Sequence, residues 1–133
     1  MVWRLSEEVV VNVSLGGYMW IKLKADEAVK LIEQAYRMGR RTRDLEETMR
    51  ILRNFEEFYR LQVRKNKSFL TPPKELKEEL EGKVLIDKVR LEEKNGERFI
   101  TILFDKRVKR EFVKSLLEKI GFSKVIFNEA STV

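Results

Sequence analysis

The first part of the chain alternates between apolar and polar positions before it changes to a helical repeat. Apolar residues occupy every second position over about 8–15, which predicts a strand with one buried face. Gly16 and Gly17 then predict a two-residue hairpin turn, since both accept positive φ. A second strand is predicted over about 18–24.

Helical periodicity follows this predicted hairpin. A helix is predicted over about 26–38, and Gly39 ends it. Thr42 is the predicted N-cap of a long amphipathic helix over about 43–66. The segment SFLTPPKE interrupts the pattern, and its two prolines open a short helix predicted over about 73–81.

A second hairpin is predicted in the last third of the chain. Asn95-Gly96 lies between two apolar-patterned runs, which predicts strands over about 83–93 and 97–104. A helix over about 106–120 and a short last strand, KVIFN, follow. The final STV is expected to be a frayed tail.

The predicted element order is ββα-α-α-ββαβ, which is typical of an α+β fold. We expect a single domain over 1–133, with a basic helical insert at about 40–81 between two hairpin-plus-helix units. Its mostly antiparallel sheet packs against helices on one side. The other side of the sheet stays at least partly available.

The second strand carries an unusual outer face. Tyr18, Trp20, Lys22 and Lys24 alternate with the apolar residues of the same strand. One interpretation buries both faces, with the rings under a helix and the lysines reaching the edge. The other is a platform on which the bases of a single strand stack while ammonium groups hold phosphates.

Arginine is concentrated in the predicted helical insert. Eight of the 13 arginines lie between Arg37 and Arg64, and the net charge of the chain is +6. The guanidinium group pairs with phosphate through two parallel hydrogen bonds, so this bias favours nucleic-acid binding. A solvated helix face, partly neutralised by Glu56 and Glu57, is the alternative.

The composition excludes several kinds of site. The chain has no cysteine and no histidine, hence no disulfide, imidazole base, zinc-finger spacing or His-based nucleophile pair. No phosphate-cradling glycine motif is present. Carboxylates at Asp87, Glu92 and Glu93 beside Lys94 allow a metal-dependent nuclease, but solvated charge at a strand end accounts for them better. We expect a non-catalytic protein without cofactor or metal.

The charged fraction of 38% resembles the composition of hyperthermophile proteins. No signal peptide and no apolar run of transmembrane length is apparent, so a cytoplasmic protein with no membrane association is expected.

The small, cysteine-free, basic α+β pattern, with its aromatic-and-lysine strand and arginine-rich helix, resembles the Thermo-DBP-related proteins of archaea. The resemblance implies a single-stranded DNA-binding protein without an OB fold. It also implies a dimer or higher oligomer that holds the strand between rings and basic side chains. The zipper-like dimerisation segment of that family is not evident here, since KREFVKSLLEKIGF is too short.

The sequence therefore predicts binding of single-stranded DNA or RNA with low sequence specificity. A protein-interaction or oligomerisation module built on the long amphipathic helix is the alternative. Candidate nucleic-acid-binding residues are Trp3, Tyr18, Trp20, Lys22, Lys24, Arg37, Arg40, Arg41, Arg43, Arg50, Arg53, Arg60, Arg64 and Lys67.

Overall fold

A computed structural model describes residues 7–129, and the candidate Trp3 and the STV tail lie outside them. The described elements follow the predicted order and form an α+β fold. They are β1 (Glu8–Val13), β2 (Met19–Lys24), α1 (Ala25–Arg37), α2 (Arg43–Arg53), α3 (Phe55–Arg64), α4 (Leu76–Leu80), β3 (Ile86–Lys94), β4 (Glu97–Phe104), α5 (Arg110–Lys119) and β5 (Lys124–Asn128).

The five strands form one mixed sheet in the order β3-β4-β2-β1-β5. Three of the four strand pairs are antiparallel, and β1 with β5 is the parallel one. The pairing of β2 with β4 joins the two predicted hairpin units in the middle of the sheet. Both sheet edges, β3 and β5, therefore come from the C-terminal half of the chain.

The hydrophobic core lies on one face of this sheet. Val11, Ile21 and Ile102 point to that face from the three inner strands and are fully buried. The apolar sides of α1, α2, α3 and α5 pack against them in a single cluster. All four of these helices thus cover the same face, and the opposite face is formed by the alternate strand residues.

The two hairpin turns differ from one another. Asn95 and Gly96 both have positive φ, at 53° and 79°, as the predicted two-residue turn requires. The first hairpin is wider than predicted, because the Ser14 N–H donates to the carbonyl of Tyr18 and encloses three residues. Gly17, at φ 87°, supplies the left-handed position of that three-residue loop.

The prediction of one long helix over about 43–66 is wrong in one respect, because the structure has two helices there. Asn54 separates α2 from α3 with a non-helical φ of −122° and ψ of 42°. Its side-chain amide donates to the carbonyl of Arg50, a local bond that competes with helix continuation. Apolar periodicity continues on both sides of Asn54, so the pattern alone does not reveal the break.

Two other helices begin later in the chain than predicted. The predicted helix at 73–81 begins at Leu76 and the predicted helix at 106–120 begins at Arg110. Before α5, Asp105 accepts from the backbone N–H of Arg107 and holds a turn. Thr42 does precede α2, but its hydroxyl group forms no capping hydrogen bond. The Glu78 carboxylate instead accepts a hydrogen bond from the Arg43 N–H.

Candidate nucleic-acid interface

The sheet face opposite the helices, called the open face here, carries the aromatic-and-lysine side of β2. Strand register places Trp20 beside Leu103, Lys22 beside Thr101 and Lys24 beside Phe99 of β4. Both lysines are exposed, whereas the alternate residues of β2 are buried in the core.

Strand β3 extends the same face with further charge. Lys88, Arg90 and Glu92 lie beside Leu103, Thr101 and Phe99 on the other side of β4. Three neighbouring strands thus present four cations and one acid on one surface. The four cations are Lys22, Lys24, Lys88 and Arg90.

The cations of the open face contact its rings. The ammonium group of Lys22 lies 5.2 Å from the centre of the Phe99 ring and 3.3 Å from a carboxylate oxygen of Glu92. The guanidinium of Arg90 lies 5.0 Å from the centre of the Phe69 ring at the sheet edge. Such cation–π contacts orient the charged groups beside the ring faces.

Trp20 is half-buried and lies on the opposite side of β2 from the buried residues Met19, Ile21 and Leu23. Beside it, Leu103 is only 8% exposed. The indole N–H of Trp20 is buried and has no hydrogen-bond partner in the part of the chain that the structure describes.

Tyr18 lies where β2 begins, at the margin of the open face. It is half-buried, and the ammonium group of Lys106 lies 5.7 Å from its ring centre. The fold thus brings the candidate residues of β2 together with cations that the sequence pattern did not predict as site residues. Those are Lys88, Arg90 and Lys106.

The predicted arginine cluster lies on the helical side, and part of it is structural. The Arg40 guanidinium packs 4.2 Å from the Phe112 ring centre and donates to the carbonyl of Lys83. Burial lowers the pKa of Arg40, although nearby Asp44 opposes that effect. Arg43 pairs with Glu75 at 3.6 Å. Both arginines thus already form contacts within the protein.

A surface groove of about 320 Å³ lies between α1 and α2. Arg41, Arg50 and Arg53 line it together with Tyr36 and Glu46. The Arg41 guanidinium lies 4.5 Å from the Tyr36 ring centre and 3.6 Å from Glu46. Partial burial, and then the Glu46 charge, raise the pKa of Tyr36.

A second groove, of about 300 Å³, lies along α3 between Arg60 and Arg64. Arg60 is paired with Glu56 at 3.3 Å. The break at Asn54 thus divides the predicted continuous basic arc into two shorter surfaces. Some members of the cluster are exposed and form no ion pair with another described residue; they are Arg37, Arg53, Arg64 and Lys67.

The open face and the arginine cluster lie on opposite sides of the sheet, so the candidates predicted as one site occupy two surfaces. Lys88 and Arg90 can be assigned to this site only from the register between β3 and β4. Alternation within one strand does not reveal that register. The alternation of Lys88 and Arg90 with Val89 was the available signal.

Each of the acidic residues considered for a nuclease lies near a different cation. Glu92 pairs with Lys22, Glu93 pairs with Arg98, and the Asp87 carboxylate lies 3.9 Å from Lys74. Within residues 7–129, no three acidic side chains form a group suited to holding a metal ion.

No helix between residues 7 and 129 is both long and apolar enough to cross a membrane. No family model, no curated protein and no solved structure matches the chain.

Proposed function

We propose that this protein binds single-stranded nucleic acid on the open face, without catalysis and with little sequence preference. The observation that carries the proposal is that half-buried rings and cations lie together on the sheet face opposite the described helices. Trp20 and Phe99 supply rings, and Lys22, Lys24, Lys88 and Arg90 supply positive charge within two strands of them. Unstacked bases fit rings, and phosphates fit the cations.

Single strands are favoured over duplexes by this arrangement. A duplex hides its base faces, whereas a single strand exposes them to aromatic side chains. Each stacked base contributes about 1–3 kcal/mol. Base faces are common to DNA and RNA, so the proposal covers both classes of single strand.

Affinity will depend on salt because cations that neutralise phosphates release condensed counterions. Four phosphate contacts correspond to a slope of log K against log salt of about −3 for a single strand. The unpaired arginines on the helical side, Arg53 and Arg64, add to the attractive field at longer range. They lie on α2 and α3 rather than on the open face.

Charge substitution on the open face tests the proposal. Lys24→Gln with Lys88→Gln removes two exposed cations without altering the core. We expect single-strand affinity to fall about tenfold or more and the salt slope to become shallower by about 1–2. Fluorescence anisotropy with a labelled oligonucleotide at several salt concentrations measures both quantities.

The matched control is Lys114→Gln with Lys119→Gln, two exposed lysines of α5 on the helical side. It makes the same change in net charge away from the open face. Equal losses in the two double variants would show that only total charge matters, and would contradict a site on the open face.

The alternative, an interaction module built on the long amphipathic helix, has less support. The apolar residues of α2 are occupied inside the fold, since Leu45, Met49 and Leu52 are all buried. On α3, Phe55 is also buried, and Val63 is the large apolar side chain left exposed, at 61%. One exposed valine does not make an apolar docking surface.

A further inference from the structure

The two edge strands of the sheet, β3 and β5, differ in whether other parts of the chain form hydrogen bonds with their outward backbone groups. At the β3 edge, Val89 exchanges two backbone hydrogen bonds with Leu70, at 2.7 and 2.9 Å. The side-chain amide of Gln62 pairs with both the N–H and the carbonyl of Leu91, at 2.9 Å each. The ammonium group of Lys74 donates to the carbonyl of Asp87. This edge is closed to further strand pairing.

The β5 edge has no comparable cover in the described part of the chain. The Lys124 N–H donates toward β1, to the carbonyl of Glu7. In a parallel pair the residues that bond the neighbouring strand alternate. Val125 and Phe127 therefore direct their N–H and carbonyl groups outward, where no described residue pairs with them. Unpaired outward groups of this kind are a template for another strand.

We propose that β5 pairs antiparallel with β5 of a second copy of this chain about a two-fold axis. Residues that exchange hydrogen bonds across an antiparallel pair must both have outward groups. Val125 opposite Phe127 of the second copy meets this condition, and the two-fold axis repeats the pair. Four backbone hydrogen bonds result. Because the strand is complementary to itself, a second copy is the occupant that its geometry favours.

Side chains support this register. It places Ile126 opposite Ile126 of the second copy on the open face, where a β-branched cross-strand pair is favourable. Val10, the neighbour of Ile126 on β1, is a large apolar residue left 42% exposed and would extend the apolar strip. Lys124 would face Asn128 of the second copy, so no like charges oppose each other.

The pairing would join two five-stranded sheets into one continuous sheet with both open faces on the same side. A five-residue strand pair buries less surface than a permanent dimer interface does, so we expect reversible association that increases with concentration. It requires no nucleic acid and stands independently of the proposed function.

Val125→Pro tests the pairing with little change to the monomer. Proline removes an N–H that faces outward, so no hydrogen bond to β1 is lost. By symmetry, two of the four hydrogen bonds between the copies disappear. The dissociation constant should therefore rise about tenfold or more. Val125→Ala is the matched control, because it loses the side chain and retains the N–H.

Sedimentation equilibrium across a wide concentration range, without nucleic acid, provides the measurement. We expect dimerisation of the wild type and of Val125→Ala, and association about tenfold weaker or more for Val125→Pro, with unchanged circular dichroism. A second readout is hydrogen exchange in the wild type, where the amides of Val125 and Phe127 should exchange more slowly as concentration rises. This readout decides the matter if Val125→Pro does not fold. A wild type that stays monomeric, or a Val125→Pro that associates like Val125→Ala, would overturn the proposal.

Discussion

At the scale of single residues, one buried carboxylate joins the helical insert to the sheet. Asp44, in the first turn of α2, is fully buried and accepts from the backbone N–H groups of Leu85 and Ile86, at 3.0 and 2.8 Å. Its two acceptor contacts satisfy donors at the start of β3 that would otherwise be buried without partners. α2 and the beginning of β3 are thereby held in a fixed relation.

Replacing Asp44 with alanine should lower the free energy of unfolding by about 3 kcal/mol, because two buried N–H groups lose their acceptor. Urea denaturation followed by circular dichroism measures the change. Asp26→Ala, at an exposed position in the first turn of α1, is the control and should cost less than about 1 kcal/mol. Similar losses in both variants would show that Asp44 has no special anchoring role.

A second residue-scale prediction concerns Asp105. Burial alone would raise the pKa of Asp105, but hydrogen bonds from the side chain and backbone of Arg107 outweigh it and lower the pKa below the usual 3.8. A depressed folded-state pKa contributes stability above the unfolded value and loses it as pH falls through the folded value. Arg107 therefore stabilises the fold near neutral pH, and this contribution fades below about pH 4.

Arg107→Ala should accordingly reduce stability at pH 7 more than at pH 2. Thermal unfolding of wild type and variant across this pH range provides the comparison. A difference between the two proteins that does not change with pH would contradict the assignment to Asp105.

At the scale of elements, α3 protects the edge of the sheet. Gln62 is 6% exposed and pairs with both backbone groups of Leu91. It lies on α3, the helix that begins directly after the break at Asn54. The helix thus takes the place of a sixth strand at one residue of β3.

Gln62→Leu should therefore destabilise the fold by about 2 kcal/mol, since it leaves a buried donor and acceptor unpaired. The amide of Leu91 should also exchange faster with solvent. The exposed neighbour Val63→Ala serves as the control, with a change below about 0.5 kcal/mol. Unchanged exchange at Leu91 in Gln62→Leu would show that the edge is protected by other means.

Local sequence signals predicted which helices and strands form better than they predicted where those elements begin and end. Asn95-Gly96 fixes its turn through two positive φ values, so the second hairpin could be read directly from the sequence. The break at Asn54 could not, because the helical period runs through it and the competing side-chain bond is visible only in three dimensions. Thr42 was in the right place, but Glu78, distant in sequence, performs the capping.

At the scale of the whole molecule, the fold separates two basic surfaces. Alternation correctly grouped Trp20, Lys22 and Lys24, but it could not show that the helices cover only the other face. Nor could it align Lys88 and Arg90 with them, since that depends on pairing between distant strands. The same long-range pairing places the arginine cluster behind the sheet rather than beside the rings.

In the proposed function, the open face binds single strands through Trp20. The chain has two tryptophans, so Trp3→Phe leaves Trp20 as the only indole fluorophore. The decisive measurement is its emission during titration with a single-stranded oligonucleotide and with the matching duplex, at low and moderate salt. Stacking of bases on Trp20 predicts quenching by the single strand that weakens as salt increases, with little response to the duplex. Emission that stays unchanged at both salt concentrations would contradict it.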